Sequence, residues 1–317
     1  MSNRMTAMTV RADLTQYAFG LMQDLKKALA LADILAPIVP TGGTTGNYNK
    51  FDTTQAFKQY AASVARRAVG GHATEVGLLS DVGTYSAQPY GLRTKIDQHE
   101  RDQAGESVAL LEQSKVRTLQ INSVVAYLGE IITLVKAGVS AATGKGLWLN
   151  ADVDPIKEIN EQIKAVFLAT GIVPNKIVFD FGAWCVFADN PKVLARMPGA
   201  DVSQVSPDRI KKLFVNPNAE VEIVETAVNT GGSLGNSAAT KVSVMGGSVF
   251  VCYNSSMATP YDPSFCKTFS PSGSLFTSIG TYREEPHFDW FENDWTCQPV
   301  LVSSALCKRI DVTGANS

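Results

Sequence analysis

Between residues 106 and 137 the sequence ESVALLEQSKVRTLQINSVVAYLGEIITLVKA places apolar residues at Ile121, Val124, Val125, Leu128, Ile131, Ile132 and Val135. That three-and-four spacing puts them on one face of a helix. Val108, Leu111, Val116 and Leu119 continue a looser stripe, no proline interrupts it, and Gly138 supplies a C-terminal stop. At 1.5 Å per residue the helix runs roughly 45 Å, enough to cross a whole domain. A second amphipathic helix is predicted over residues 13–35, where Leu14, Tyr17, Ala18, Leu21, Leu25, Ala28, Leu29 and Ala32 recur at helical spacing. Asp13 is its expected cap, and Pro37 and Pro40 lie beyond its end. Such a stripe must dock, on the chain's own core or on a neighbour's.

The remaining pattern is mostly extended. Residues 41–48, TGGTTGNY, read as a connector. Residues 48–98 are rich in Thr, Val, Tyr and Gly without helical periodicity, which predicts a protruding β-hairpin arm with little core of its own. A compact α/β segment follows the long helix. Asp154-Pro155 opens a helix that Gly171 stops, residues 176–179 form a short buried strand, and Asn190-Pro191 and Ser206-Pro207 start further helices. Residues 220–227 and 242–253 read as strands on either side of a small-residue loop, and residues 275–312 as strands that pair with the first half of the chain.

The 317 residues, 45% hydrophobic and 18% charged, suit a soluble globular protein with a real core. A formal net charge of −2 gives no whole-chain field for nucleic acid. No apolar run approaches the 18 or so residues of a membrane span and no signal pattern opens the chain, so a reducing, cytosol-like compartment and no membrane partner are expected. Cys185, Cys252, Cys266, Cys297 and Cys307 contain no CxxC pair, which predicts mostly buried free thiols without disulfide cross-links. Neither those cysteines nor the scattered His72, His99 and His287 make a metal set, and no cofactor is expected.

Catalytic patterns are few. Gly43, Gly46 and Lys50 do not fit a phosphate loop, nor does the run from Gly138 to Lys145. Gly231-Gly232-Ser233-Leu234-Gly235 is a literal GxSxG, with Asp262 and His287 following in hydrolase order. It leads into a strand, however, where a nucleophile elbow requires a helix. Cys185 sits in GAWCVFAD and reads as a core thiol. Glu284, Glu285, His287, Asp289, Glu292 and Asp294 form an acidic cluster that a strand's pleat would split between two faces, giving a solvated edge towards a neighbouring subunit in place of a cation site.

The order of these elements resembles the major capsid proteins of tailed bacteriophages, the Hong Kong 97-type fold. YNKFDTTQAF (residues 48–57), Arg66-Arg67, Tyr90-Gly91-Leu92, Ile96-Asp97 and Glu100 resemble the family's arm and its entry to the spine helix. IVPNKIVFDFGAWCVFADNPKVLARM (172–197) resembles its strand, Trp-containing helix and NPKVL helix, and residues 242–253 with Asp262-Pro263-Ser264-Phe265 its next strand and turn. The resemblance spans about 270 residues. The family often carries a scaffolding domain before the arm, for which this N-terminus is short.

The resemblance implies an α+β capsid fold. It would comprise an N-terminal arm (1–47), an extended β-hairpin arm or E-loop (48–98), a peripheral domain with spine helix and β-sheet (99–138 and 275–317), and an α/β axial domain (139–274). It implies no catalytic role but self-assembly, as pentamers and hexamers, into an icosahedral shell around double-stranded DNA held without sequence-specific contacts. The shell would form in the host cytoplasm and belong to the virion, with portal, scaffolding and decoration proteins as further partners. Expected inter-subunit contacts are Arg66, Arg67, Val69 and Tyr85 on the arm and Glu284 and Glu285 near the closing strands. An encapsulin-type compartment shell is the alternative within that fold, and a serine hydrolase using Ser233 a remote one.

Overall fold

A computed structural model of the chain describes residues 9–24, 32–50, 59, 61–74, 81–197, 205–230, 240–273, 275–276, 279–285 and 287–315. The predicted spine helix is Val108–Gly138. Ahead of it, Gln98–Ala104 forms a separate short helix, opened by a capping box in which Asp97 and Glu100 satisfy each other's backbone N–H groups. Gly105, at φ 53°, turns the chain between the two. By length and composition the helical stretch from Gln98 to Gly138 is apolar enough to cross a membrane, contrary to the sequence expectation. Its apolar stripe is instead the floor of the core.

Six strands form the larger sheet: β1 (Thr9–Val10), β2 (Ile38–Pro40), β5 (Gln88–Asp97), β11 (Cys266–Ser270), β12 (Ile279–Glu285) and β13 (Phe288–Leu301). β13 lies inside it. One of its edges carries β5 along ten residues, and the other carries β12 and then β11, all antiparallel. β2 extends the sheet in parallel beyond β11. The spine helix packs on one face, burying Val116, Leu119, Val124, Tyr127, Leu128, Ile131, Ile132 and Val135.

The buried stripe is wider and more polar than the sequence suggests. Ile121 and Val125 sit half-buried on its flank, while Gln120 and Ser123 lie in its centre. Buried polar groups need partners. Asn293 of β13 donates to Ser123 Oγ at 3.0 Å and Tyr127 donates to Thr268 Oγ1 at 2.8 Å.

The smaller sheet holds β6 (Lys176–Asp180), β7 (Glu220–Val224), β10 (Ser248–Cys252) and β14 (Cys307–Asp311) in the order β14-β10-β6-β7. Both its faces are covered. Phe250 and Cys252 face the spine helix's core, while Val249 and Val251 face a second core with Phe179, Trp184 and Phe187. The helix Pro155–Thr170 is built as expected, with Asp154 accepting from Lys157 N and Gly171 ending it in the left-handed region. Asn190 likewise caps Pro191–Ala195. The expected single strand 242–253 is broken by a turn, leaving β10 in this sheet and pairing β9 (Thr240–Ser243) with β8 (Ala227–Thr230) in a separate hairpin.

Several expected boundaries move. β14 belongs to the small sheet and β11 to the large one, so neither sheet is a continuous stretch of sequence. β5 is part of the large sheet, not of the arm. The N-terminal helix is Ala12–Asp24, with Asp13 inside it and paired to Arg11, not capping it. Leu14 and Ala18 dock on Val116 and Leu119 of the same chain, so this stretch is no free arm. Residues 32–39 also thread the core: Asn254 donates to the carbonyls of Ile34 and Leu35 and accepts from Phe265 N, while Asn175 holds its backbone. One amide thus ties both sheets to the incoming chain.

Leu128 is fully buried under the large sheet. Leu128→Asp leaves a carboxylate there without a partner, at a cost of several kcal/mol, comparable to a domain's whole stability. The variant is expected in the insoluble fraction, and a soluble, cooperatively melting product in a thermal scan would show the face is not core.

Candidate assembly surfaces

The arm has a rigid root. β3 (Thr45–Asn49), read from sequence as a connector, pairs antiparallel with β4 (Val82–Ser86). The register sets Gly46 opposite Tyr85 and Tyr48 opposite Gly83. Each tyrosine ring therefore lies across the glycine of the other strand; a Cβ on Gly83 would stand 2.3 Å from the Tyr48 ring. Both rings pack on Phe269 of β11, Tyr85 stacked at 4.3 Å between centroids and Tyr48 tilted at 5.4 Å. Tyr85, expected at an inter-subunit contact, is thus buried in its own subunit because strand alternation turns it inward.

Beyond the root lies a segment with no core. Residues 61–74 form one helical turn, Ala62–Ala65, a turn at Gly70 with φ 81°, and a closing bond from Thr74 Oγ1 to Val64 O at 2.6 Å. None of these residues is buried. Arg66, Arg67 and Val69 are exposed there, as is Val64. Lys50 and Asp81 pair across the neck at 3.1 Å. Residues 51–58, 60 and 75–80 lie outside the described residues.

The acidic cluster is split as the pleat requires, but on an interior strand, not at an edge. Asp289 points to the helix side, where Arg101 meets it at 3.0 Å and Arg283 at 2.8 Å. Arg101 also meets the buried Glu112 at 2.7 Å, and Arg11 completes the cluster at 3.1 Å from Glu112. Glu292 and Asp294 point to the opposite face, between Arg93 and Gly91 of β5. Glu284 and Glu285 end β12.

The hydrolase constellation is not assembled. Asp262 is bonded to Ser264 and pairs with the fully buried Lys267 at 3.0 Å, at the Leu301 end of β13. His287 precedes Phe288 at the other end, about 40 Å away at strand rise. Ser233 lies outside the described residues. Cys185, expected in the core, is exposed because its helix, Phe181–Asp189, turns Trp184 and Phe187 inward.

No family model matches the sequence, and no curated protein does. Among solved structures, a phage-related protein from Bordetella bronchiseptica superposes with a TM-score of 0.69 over 97% of this chain and 98% of its own, at 19% identity. A putative capsid protein of an Escherichia coli prophage gives 0.54 over 97% and 100%, at 9% identity. An encapsulin complex of Synechococcus elongatus gives 0.51 over 91% and 88%, also at 9%. The chain has the Hong Kong 97-type capsid fold.

On this capsid fold two further apolar surfaces are open. Phe167, Val173 and Val215 line a groove of about 550 Å³ with Lys157, Lys164 and Arg196 around it. Phe181 and Val242 line another of about 590 Å³ at the foot of the β8–β9 hairpin. Phe167 lies on the flank of its helix, half in solvent.

Two variants probe the root of the arm and the outer face of the large sheet. Gly83→Val pushes a side chain into the Tyr48 ring and is expected to loosen the arm, raising amide hydrogen exchange in β3 and β4 while the spine helix stays protected. Glu292 is the second. Burial first, and the charge of Asp294 next, raise its carboxyl above the ordinary 4.5. The folded chain therefore holds this proton more tightly than the unfolded one, and stability is lost as pH rises from 4.5 through the raised value. Glu292→Gln is expected to melt higher than the parent at pH 7 and to lose that advantage below about pH 4, read by paired thermal scans.

Proposed function

We propose that this chain is the major capsid protein of a tailed bacteriophage, assembling through pentamers and hexamers into an icosahedral shell around double-stranded DNA. The observation that carries the reading is the arm: its described residues 61–74 include no buried one, and they are held out by a root whose aromatic rings are locked into its own subunit. A segment that buries nothing in its subunit gains energy only against another copy, the contact a closed symmetric assembly repeats. Arg66, Arg67, Val64 and Val69 are its candidate contacts, with Glu284 and Glu285 at the end of β12. The net charge of −2 suits a wall around DNA that keeps its own counterions. The role is structural and not catalytic, the site of action is the virion after assembly in the host cytoplasm, and portal, scaffolding and decoration proteins are the expected partners.

An encapsulin-type compartment shares the fold, and the similarity of 0.51 keeps it as the second reading. The higher score with the phage-related protein favours the first. Electron microscopy of the purified protein is expected to show regular shells of tens of nanometres, and their absence at any protein concentration would sink both readings. Nucleic-acid content of particles from cells separates them.

The arm's share is tested by replacing residues 61–74 with a short Gly-Ser linker. Melting is expected close to the parent's, because no core is touched, while sedimentation shows capsomer-sized species in place of shells. A loss of about 1.4 kcal/mol per contact is tenfold in affinity, multiplied over every copy. Normal shells would assign assembly to other surfaces, and an unfolded product would make the lobe part of its own subunit.

A further inference from the structure

Sequence spacing gives the five cysteines no pairing pattern, yet two of them meet across a ladder. β10 and β14 run antiparallel with Cys252 directly opposite Cys307. Just beyond them Tyr253 N–H donates to Leu306 O at 3.1 Å, and at the far end Val312 N–H donates to Gly247 O at 2.9 Å. Both are opposite pairs in the same register, and hydrogen-bonded and non-hydrogen-bonded pairs alternate along an antiparallel ladder. Cys252–Cys307 is therefore a non-hydrogen-bonded pair, whose Cα atoms lie about 4.5 Å apart with both side chains on one face. Disulfides span Cα separations of about 4.4–6.8 Å. Both residues are fully buried in the same core cluster.

We propose that Cys252 and Cys307 are a latent disulfide, made as thiols and closed by a peroxide-class oxidant into a staple that fastens edge strand β14 to the small sheet. Both thiols are closed to solvent, so bulky disulfide reagents are excluded and the oxidant proposed is a small one. One thiolate sulfur attacks a peroxide oxygen, the O–O bond breaks, and the departing hydroxide takes up a proton as water, leaving a sulfenic acid. The second sulfur then displaces the sulfenic hydroxyl as a second water. Two thiols and one hydrogen peroxide become one disulfide and two waters. Burial holds the Cys307 thiol far above its ordinary pKa. Little thiolate is present at neutral pH, so closure is slow there and quickens as pH rises. Cys266, in the same core and pushed up to about 12, is the competing partner, but it lies on β11 in the other sheet.

The test uses the full chain, assembled or not, so its outcome does not depend on the shell reading. Protein is treated with hydrogen peroxide at pH 8, remaining thiols are alkylated, and the non-reduced digest is mapped by mass spectrometry beside a thermal scan. The expected product is a peptide pair joined through Cys252 and Cys307, with Tm raised by about 5 °C and restored by reductant. Cys307→Ala is expected to show neither change, and Cys266→Ala both. Should Cys307→Ala fail to fold, the parent's peptide map decides. Cys252 and Cys307 recovered as separate sulfinic or sulfonic acids, bonded to Cys266, or still alkylatable after Cys185 is fully oxidised would each overturn the proposal.

Discussion

The contact between the spine helix and the middle of the large sheet sets the position of everything outside it, because the stripe between them is partly polar. Asn293 and Ser123 bond each other, as do Tyr127 and Thr268. Sliding the helix one turn along the sheet would leave these groups buried without partners, at about 1–3 kcal/mol each. A purely apolar stripe would resist sliding far less. Thr268 and its neighbour Phe269 project to opposite faces of β11, so the bond that fixes Thr268 against the helix also fixes Phe269 on the other side. Phe269 is the platform on which Tyr48 and Tyr85 rest. Core register is thereby passed through one strand to the root of the arm.

What the sequence makes legible is local. The spine helix, the Asp154 and Asn190 caps and the Gly171 stop are properties of a few adjacent residues, and each stands where its pattern puts it. The misplaced elements depend on partners far along the chain. Residues 45–49 look like a glycine-rich connector until β4 supplies aromatic rings to cover the glycines. Gln120 and Ser123 spoil an apolar stripe until Asn293 answers them. Tyr85 has the exposure of an arm residue only if β3 and Phe269 are ignored. Arg66, Arg67 and Val69 are in the open lobe, as their polar, glycine-flanked surroundings suggest.

Charge is used differently at the two ends of the spine. At its start the buried Glu112 lies between Arg11 and Arg101, and Arg101 reaches on to Asp289, so the N-terminal segment, the helix and the sheet are joined by a network centred on one buried carboxylate. Removing both arginines would strand Glu112, the one buried charge of the set. At its other end, Lys136 offers its carbonyl to Arg309 at 2.9 Å and so meets strand β14 of the small sheet. The helix is thus tied to the large sheet by ion pairs and to the small one by a guanidinium that donates to a main-chain carbonyl of its last turn.

The interleaving of the two sheets along the chain governs how the protein can be made. The small sheet holds β6, β7 and β10 and then waits for β14, while β11, β12 and β13, synthesised in between, all go to the large sheet, whose own first strands lie near the N-terminus. Neither sheet has its full set of strands until the other is nearly complete. Contact order is correspondingly high, and chains dominated by distant pairings fold slowly. During that interval the edge of β10 that β14 will cover is an open template for another strand. A chain with this strand order therefore passes through its most adhesive state just before it is finished, and its yield is set by the race between that last strand and a neighbour's.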